Sequence, residues 1–348
     1  MKTIKDFNFK NKKVLVRCDF NVPLLLQKGR GDILDDFRIK ESIPTIRYLT
    51  EKEAKVILIS HLGRPEGKVI KELSLAPIQK RLEKYLDIPV AKAPDCVGKK
   101  IEKLTDEMKP GEVLLLENLR FHKEEEEEDL NFARALSKLG DIYINDAFGA
   151  SHRAHASITG IPKYLPSGAG LLLEKEIKTL TNLMENPRKP LVVVVGGAKV
   201  ETKAELINKI SKVADFVLIG GLIQREIKEK GIFLSCPQKI LSPIDEIDGK
   251  DIGPETIKLF KEKINSAKTI FWSGPLGMIE KKEFSEGTEE IAKAIIKSGA
   301  FSIVGGGETI EFINKLGLSS KFNHVSTGGG AMLEFLSGEK LPGIEALQ

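Results

Sequence analysis

Seven basic side chains of this sequence stand beyond short apolar runs: Arg38 after VLVRCDFN, His61 and Arg64 after VILIS, Arg120 and His122 after EVLLLENL, and Arg153 and His155 after DIYIND. A guanidinium fork holds phosphate or carboxylate through two parallel hydrogen bonds, so this set suits an anionic ligand. In the second half, glycines occupy the equivalent places. LVVVV runs into Gly196-Gly197-Ala198-Lys199, FSIV into Gly305-Gly306-Gly307-Glu308, and HVS into Thr327-Gly328-Gly329-Gly330. Such loops offer backbone N–H groups to phosphate oxygens. Nine of the eleven arginines precede residue 166. Two anionic ligands, one per half of the chain, are the first functional reading. No glycine cluster is a G-x-x-x-x-G-K-[ST] loop or a G-x-G-x-x-G dinucleotide fingerprint.

The elements that must position these residues are legible as short Val/Ile/Leu runs alternating with longer amphipathic stretches. That pattern is a parallel sheet covered by helices on both faces. Strands are expected at 13–16, 55–59, 112–117 and 141–145, then at 191–195, 216–219, 269–272, 301–304 and 324–326. Helical spacing covers 39–49, 76–86 and 131–138. The fold class is α/β: two doubly wound parallel-sheet, Rossmann-like domains joined by a helix and hinge. The first domain is expected over 1–169, a connecting helix over 170–187, ended by Pro187-Arg188-Lys189-Pro190, the second domain over 188–326, and a hinge with a return to the first domain over 327–348. Ligands of open parallel sheets bind beyond the carboxyl ends of the strands, where these basic residues and glycines fall.

Composition narrows the partners. The chain has 348 residues and a net charge of +4 with 30% charged residues, a mild excess that gives little support to nucleic-acid or membrane-surface binding. Three cysteines, odd in number and far apart, read as reduced thiols of a cytoplasmic protein, and zinc-finger spacing is absent. No apolar stretch approaches the roughly 20 residues of a membrane helix.

The motifs together carry a resemblance. VLVRCDFNVPL, SHLGRPEG, EVLLLENLRFHKEE, NDAFGASHRAHAS, GGAKVETK, FWSGPLGMIE, IVGGGET and STGGGAMLEFLSGEKLPGIEAL follow one another in the order found in the phosphoglycerate kinases, which the chain resembles over nearly its whole length. The resemblance implies the glycolytic, reversible transfer of a phosphoryl group from 1,3-bisphosphoglycerate to ADP, giving 3-phosphoglycerate and ATP with Mg2+. It implies a monomeric, cytoplasmic enzyme whose partners are these small molecules.

By the same resemblance, Asp19, Asn21, Arg38, His61, Leu62, Gly63, Arg64, Arg120 and Arg153 bind the triose. Arg38 and Lys199 are the catalytic cations around the migrating group. Lys203, Glu280, Gly306, Gly307, Glu308, Thr309, Gly328 and Gly329 serve the nucleotide, with Glu280 at the ribose and Glu308 at the metal. The attacking carboxylate is already ionised, so His61, His122, His152 and His155 have no obligatory proton-transfer role, and catalysis reduces to positioning and charge neutralisation. A closing motion about the connecting helix and the 326–330 turn is expected to exclude water.

Departures from the family's pattern gather on the nucleotide side. Glu308 replaces the usual Asp, Ser273 replaces the Asn of WNGP, and the 222–250 segment is shorter than usual. These motivate an alternative, a non-catalytic triose-binding or scaffold relative. A dehydrogenase is disfavoured by the missing fingerprint. Other features read as structural: Trp272 and Cys18 as core, His324 as a strand-end residue, Arg17 as an ion-pair partner of Asp19 or another carboxylate, and the acidic run 124–129 as a solvated loop or helix start.

Overall fold

The apolar runs become strands because both faces of a parallel sheet are covered, so most positions along them are buried. In the computed structural model, which describes residues 1–27, 30–198 and 200–348, two units form: Met1–Glu176 with Lys340–Gln348, and Ile177–Glu339.

The first unit holds strands β1 (Lys13–Arg17), β2 (Lys55–Ile59), β3 (Val90–Lys92), β4 (Val113–Leu115), β5 (Ile142–Asn145) and β6 (Ser167–Ala169). They pair in parallel in the order β3-β4-β2-β1-β5-β6. Helices α1 (Phe37–Glu51), α2 (Ala76–Leu86), α3 (Lys99–Asp106) and α4 (Leu130–Ser137) belong to it. Val14, Val16, Val56, Leu58, Val113 and Leu115 share one core with Ile39, Ile46 and Leu49 of α1 and Ile78 and Leu82 of α2. The alternate residues Leu15, Ile57, Leu114 and Tyr143 are buried on the other face. An antiparallel hairpin, Leu24–Gln27 with Arg30–Ile33, precedes α1. The C-terminal segment packs into this unit, where Gly343 N–H donates to Ser151 O at 2.8 Å.

Helix α5 (Leu171–Glu185) begins in the first unit and ends in the second. The second unit holds β7 (Leu191–Val195), β8 (Phe216–Ile219), β9 (Ile240–Leu241), β10 (Thr269–Ser273), β11 (Phe301–Gly305) and β12 (His324–Val325), all parallel, in the order β9-β8-β7-β10-β11-β12. Helices α6 (Val200–Ile210), α7 (Gly221–Glu229), α8 (Pro254–Ser266), α9 (Glu286–Ser298), α10 (Gly307–Lys315) and α11 (Gly330–Ser337) cover it, and α12 (Pro342–Glu345) lies in the returning segment. This strand order is the dinucleotide-fold order, which reverses between its first and fourth strands. Both units are thus doubly wound, as expected. The expected strands coincide with β1, β2, β4, β5, β7, β8, β10, β11 and β12 to within a few residues, whereas the two- and three-residue strands β3, β6 and β9 were not anticipated.

One expectation is corrected. The acidic run 124–129 is not a wholly solvated segment: Glu125 is fully buried, its Oε1 accepting from Ser157 Oγ (2.6 Å) and its Oε2 from Ser157 N–H (2.9 Å), with the buried Arg17 guanidinium 3.6 Å away. A buried guanidinium requires a counter-charge, and Glu125 supplies it. Glu128 accepts from Thr159 Oγ1 (2.8 Å), and Asp129 caps α4 by accepting from Phe132 N–H (2.7 Å). Trp272 and Cys18 are buried, as read from the sequence, and His324, read as a strand-end residue, opens β12 and is buried too.

Candidate functional site

In the first unit the strand order reverses between β1 and β5, and the arginine set lies beyond the carboxyl ends of β1, β2, β4 and β5. Immediately after β1, Asp19 Oδ1 accepts from Asn21 N–H at 3.1 Å, while Asp19 Oδ2 pairs with Arg38 Nη1, which projects from the first turn of α1. Asn21 Oδ1 in turn accepts from Gly63 N–H at 2.9 Å in the loop after β2. Asn118, after β4, ties two loops together. Its Oδ1 accepts from Leu62 N–H and Arg120 N–H (3.1 Å each), and its Nδ2 donates to Leu62 O at 2.7 Å. Arg120 Nη1 donates to Gly63 O at 2.7 Å. The structure therefore brings together Asp19, Asn21, Arg38, the His61–Gly63 stretch and Arg120; Arg64, next in the chain, is exposed.

Four guanidinium groups act on His61. Burial is the largest cause holding this imidazole well below its ordinary pKa, followed by the charges of Arg17, Arg120, Arg38 and Arg153. Arg17 Nη2 lies 3.2 Å from His61 Nδ1, and a guanidinium can only donate, so Nδ1 accepts and the proton of the neutral ring sits on Nε2. Burial, and then the charges of Arg17, Arg120 and Arg153, depress His155 to about 3. His152 is lowered too, by burial and then by Arg153, whose Nε donates to His152 Nε2 at 3.4 Å. These rings are neutral dipoles in a positive field. Arg120 Nη2 and His152 Nδ1 are buried without a hydrogen-bond partner among the described residues. Arg120 Nε is 3.0 Å from Glu126 Oε1, but the approach lacks hydrogen-bond geometry, leaving that nitrogen to ion pairing alone. Orphaned buried donors are costly, and an anion's oxygens would satisfy them.

Sequence reading missed the supports. Arg17, Glu125 and Asn118 were not placed at the site, yet they fix His61, the Ser157 segment and Arg120. Asn118 lay within the ENLRFH block, so its place between two conspicuous loops was the available signal. Arg17 does pair with a carboxylate, Glu125 and not Asp19.

The second unit carries its site at the reversal between β7 and β10. The loops leaving these strands cross so closely that a Cβ on Gly196 would stand 1.9 Å from Pro275 O, and one on Gly274, whose φ is 95°, would stand 2.0 Å from Gly196 O. Only glycine fits either position. Beyond the crossing lies a cleft of about 530 Å3 lined by Gly197, Thr202, Lys203, Gly306–Thr309 and Gly329. Helices α6, α7, α10 and α11 start after β7, β8, β11 and β12, directing positive dipole ends to this side of the sheet. A second hollow of about 270 Å3 shares Gly197, Ala198 and Glu308 with the first and runs past Gly221 and Leu276 to Glu280. The two adjoin, with Lys203 in the first, Glu280 in the second and Glu308 where they meet.

Lys203 is buried and donates to Ser273 Oγ (2.7 Å) and Ser273 O (3.2 Å), so the serine that replaces the family's asparagine anchors the lysine. Thr309 Oγ1 accepts from Gly274 N–H at 2.9 Å, joining the loops after β10 and β11. Gly328 is buried, its N–H donating to Ser326 Oγ at 3.1 Å, and of the two glycines expected here Gly329 lines the cleft. Lys199 lies outside the described residues. Within the shortened 222–250 segment, Arg225 Nη1 grips both oxygens of Glu246 (2.8 and 2.7 Å) and both residues wall the second hollow.

Comparison with known proteins matches this architecture. The family model described as phosphoglycerate kinase matches residues 4–232 and 234–339. The chain is similar to the phosphoglycerate kinase of Dictyoglomus turgidum, with 45% identity over 391 aligned positions covering 99% of this chain and 98% of the relative, and to that of Solibacter usitatus, also 45% identical with the same coverages. An alignment of 391 positions against 348 residues leaves about forty positions of the first relative without a counterpart here. The crystal structure of phosphoglycerate kinase from Pyrococcus horikoshii OT3 is similar with a TM-score of 0.87 at 35% identity, covering 100% of this chain and 98% of that one. A family match along nearly the whole length, on a fold of two doubly wound units, places the chain in the phosphoglycerate kinase family.

Proposed function

We propose that this chain is a working phosphoglycerate kinase, transferring a phosphoryl group reversibly between 1,3-bisphosphoglycerate and ADP on one side and 3-phosphoglycerate and ATP on the other. The observation that carries the reading is the orphaned Arg120 Nη2 within a cluster of four guanidinium groups in the first unit. Arg64, Arg120 and Arg153 hold the non-transferred phosphate of the triose, and Asp19, Asn21 and the His61–Gly63 stretch position its carboxylate-bearing end. Asp19 orients Arg38, which with Lys199 neutralises charge on the migrating group. The nucleotide lies across the second unit's two adjoining hollows, phosphates toward Lys203, Gly306, Gly307 and Thr309, with Gly328 holding the turn that presents Gly329, and ribose toward Glu280.

Glu308 fits a magnesium ion, because Mg2+ is commonly held by one or two carboxylates plus substrate phosphates, and Glu308 is exposed in the first turn of α10 beside the phosphate end. When bound, the ion supplies positive charge to the nucleotide phosphates. The attacking carboxylate needs no base. Helix α5 and the 327–348 segment are the hinge that would bring the two substrates into line. The protein acts as a cytoplasmic monomer; among the described residues no helix is long and apolar enough to cross a membrane.

Calorimetric titration separates the parts. 3-Phosphoglycerate should bind the parent protein and lose at least tenfold in affinity in Arg153→Ala, while MgADP affinity stays within twofold. Equal losses for both ligands would break the assignment of one ligand to each unit.

A further inference from the structure

We infer that Asp95, Cys96 and His122 form a binding site for a zinc-class transition-metal ion in the first unit, distinct from the magnesium position at Glu308. Asp95 and Cys96 follow β3, and His122 ends the short turn after β4. Spacing in the chain does not announce the trio, but the fold brings one carboxylate oxygen, one sulfur and one imidazole nitrogen within 4.8 Å of one another. His122 Nε2 lies 2.6 Å from Asp95 Oδ1, and the ring is held by stacking on Phe132 at 5.1 Å between centroids. Cys96 Sγ is fixed 2.8 Å from Glu117 O, and Cys96 N–H donates to Asp95 Oδ1 at 2.7 Å.

Each donor is therefore oriented before any ion arrives. Sulfur, imidazole and carboxylate in one place select a borderline-soft ion over magnesium or calcium, which prefer all-oxygen shells. In a tetrahedral site with bonds near 2.0 Å, nitrogen and oxygen stand about 3.3 Å apart, so Asp95 and His122 need part by less than about 1 Å. Cys96 is buried, His122 partly exposed and Asp95 exposed, which leaves the approach on the aspartate side and room there for a water as fourth ligand. On binding, the Cys96 thiol proton passes to solvent, the sulfur lone pair forms the bond to the ion, and the imidazole proton resides on Nδ1. The bound ion would staple the segment after β3 to the segment that carries Arg120.

Cobalt(II) is the probe, since its thiolate complexes absorb through sulfur-to-metal charge transfer. The parent protein should take up one equivalent with a charge-transfer band that stoichiometric zinc removes and millimolar magnesium does not. Cys96→Ser should abolish the band, His122→Gln should weaken uptake at least tenfold, and Cys236→Ser should leave both unchanged, with circular dichroism confirming that each variant is folded. If Cys96→Ser fails to fold, His122→Gln and Asp95→Asn carry the test. No band in the parent, a band surviving in Cys96→Ser, loss of the band in Cys236→Ser, or unchanged affinity in both His122→Gln and Asp95→Asn would overturn the site.

Discussion

Asp146, the residue after β5, is fully buried, and its Oδ1 accepts from Leu172 N–H (2.9 Å) and Leu173 N–H (3.3 Å) at the start of α5. Its Oδ2 has no partner among the described residues. Burial is the largest influence and lifts the carboxyl from 3.8 to about 7. Because the folded value lies above the unfolded one, the native state holds one proton more than the unfolded chain between these values, and stability falls as pH rises across that window. From pH 5 to pH 8 ionisation stabilises the unfolded carboxyl by about 4 kcal/mol and the folded one by about 1.5, a net loss of about 2.5 kcal/mol through this one group. Asp146→Asn keeps an oxygen for the two N–H groups but cannot ionise. Urea unfolding followed by far-ultraviolet circular dichroism at pH 5, 6, 7 and 8 should show the variant gaining about 2.5 kcal/mol relative to the parent across the range. The two units need not unfold in one step, so the comparison is made on the transition that contains the first unit. Parallel stability curves, with a difference constant to about 0.5 kcal/mol, would refute the reasoning.

Other perturbations test the site and its supports. Arg38→Ala should lower kcat by two or more orders of magnitude and leave MgADP affinity almost unchanged, read from steady-state kinetics and calorimetry, because the guanidinium acts on the transferring group. Glu308→Asp should retain activity and shift the preference among magnesium, manganese and calcium in a metal series; an unchanged preference would remove Glu308 from the metal site. Glu125→Gln leaves the buried Arg17 charge uncompensated and should cost about 3 kcal/mol in denaturant unfolding, with a loss under about 1 kcal/mol contradicting the pairing. Gly343→Ala places a Cβ 2.7 Å from Ile158 Cγ2 and 2.9 Å from Ser151 Cα, so the returning segment should loosen, at a cost of about 1 to 3 kcal/mol and with faster amide exchange at Gly343.

The sequence announced whatever repeats along the strand direction. LVVVV reads as a strand buried on both faces because no polar residue interrupts it, and the arginines and glycines stand out because each follows such a run. Strands β3, β6 and β9 are too short to show a period, and α3 presents only Ile101 and Thr105 to the interior from a polar octapeptide. Glu125 looked solvated among its acidic neighbours because its partner, Arg17, lies in β1, on the far side of the first domain in sequence. The Asp95, Cys96 and His122 cluster was hidden for the same reason: its members come from two loops that the pairing of β3 with β4 brings together. Ser273 registered as a substitution, but its grip on Lys203 emerges only when the ends of α6 and β10 are brought together.

Phosphoryl transfer itself is the claim to test most directly. Purified protein supplied with 3-phosphoglycerate, ATP and magnesium, with 1,3-bisphosphoglycerate read through coupled NADH oxidation, should turn over, and the Lys199→Ala variant should lose that turnover while remaining folded. A folded parent that stays silent with ATP or GTP, and with magnesium or manganese, would contradict the account and make the chain a triose-binding relative that no longer transfers phosphate.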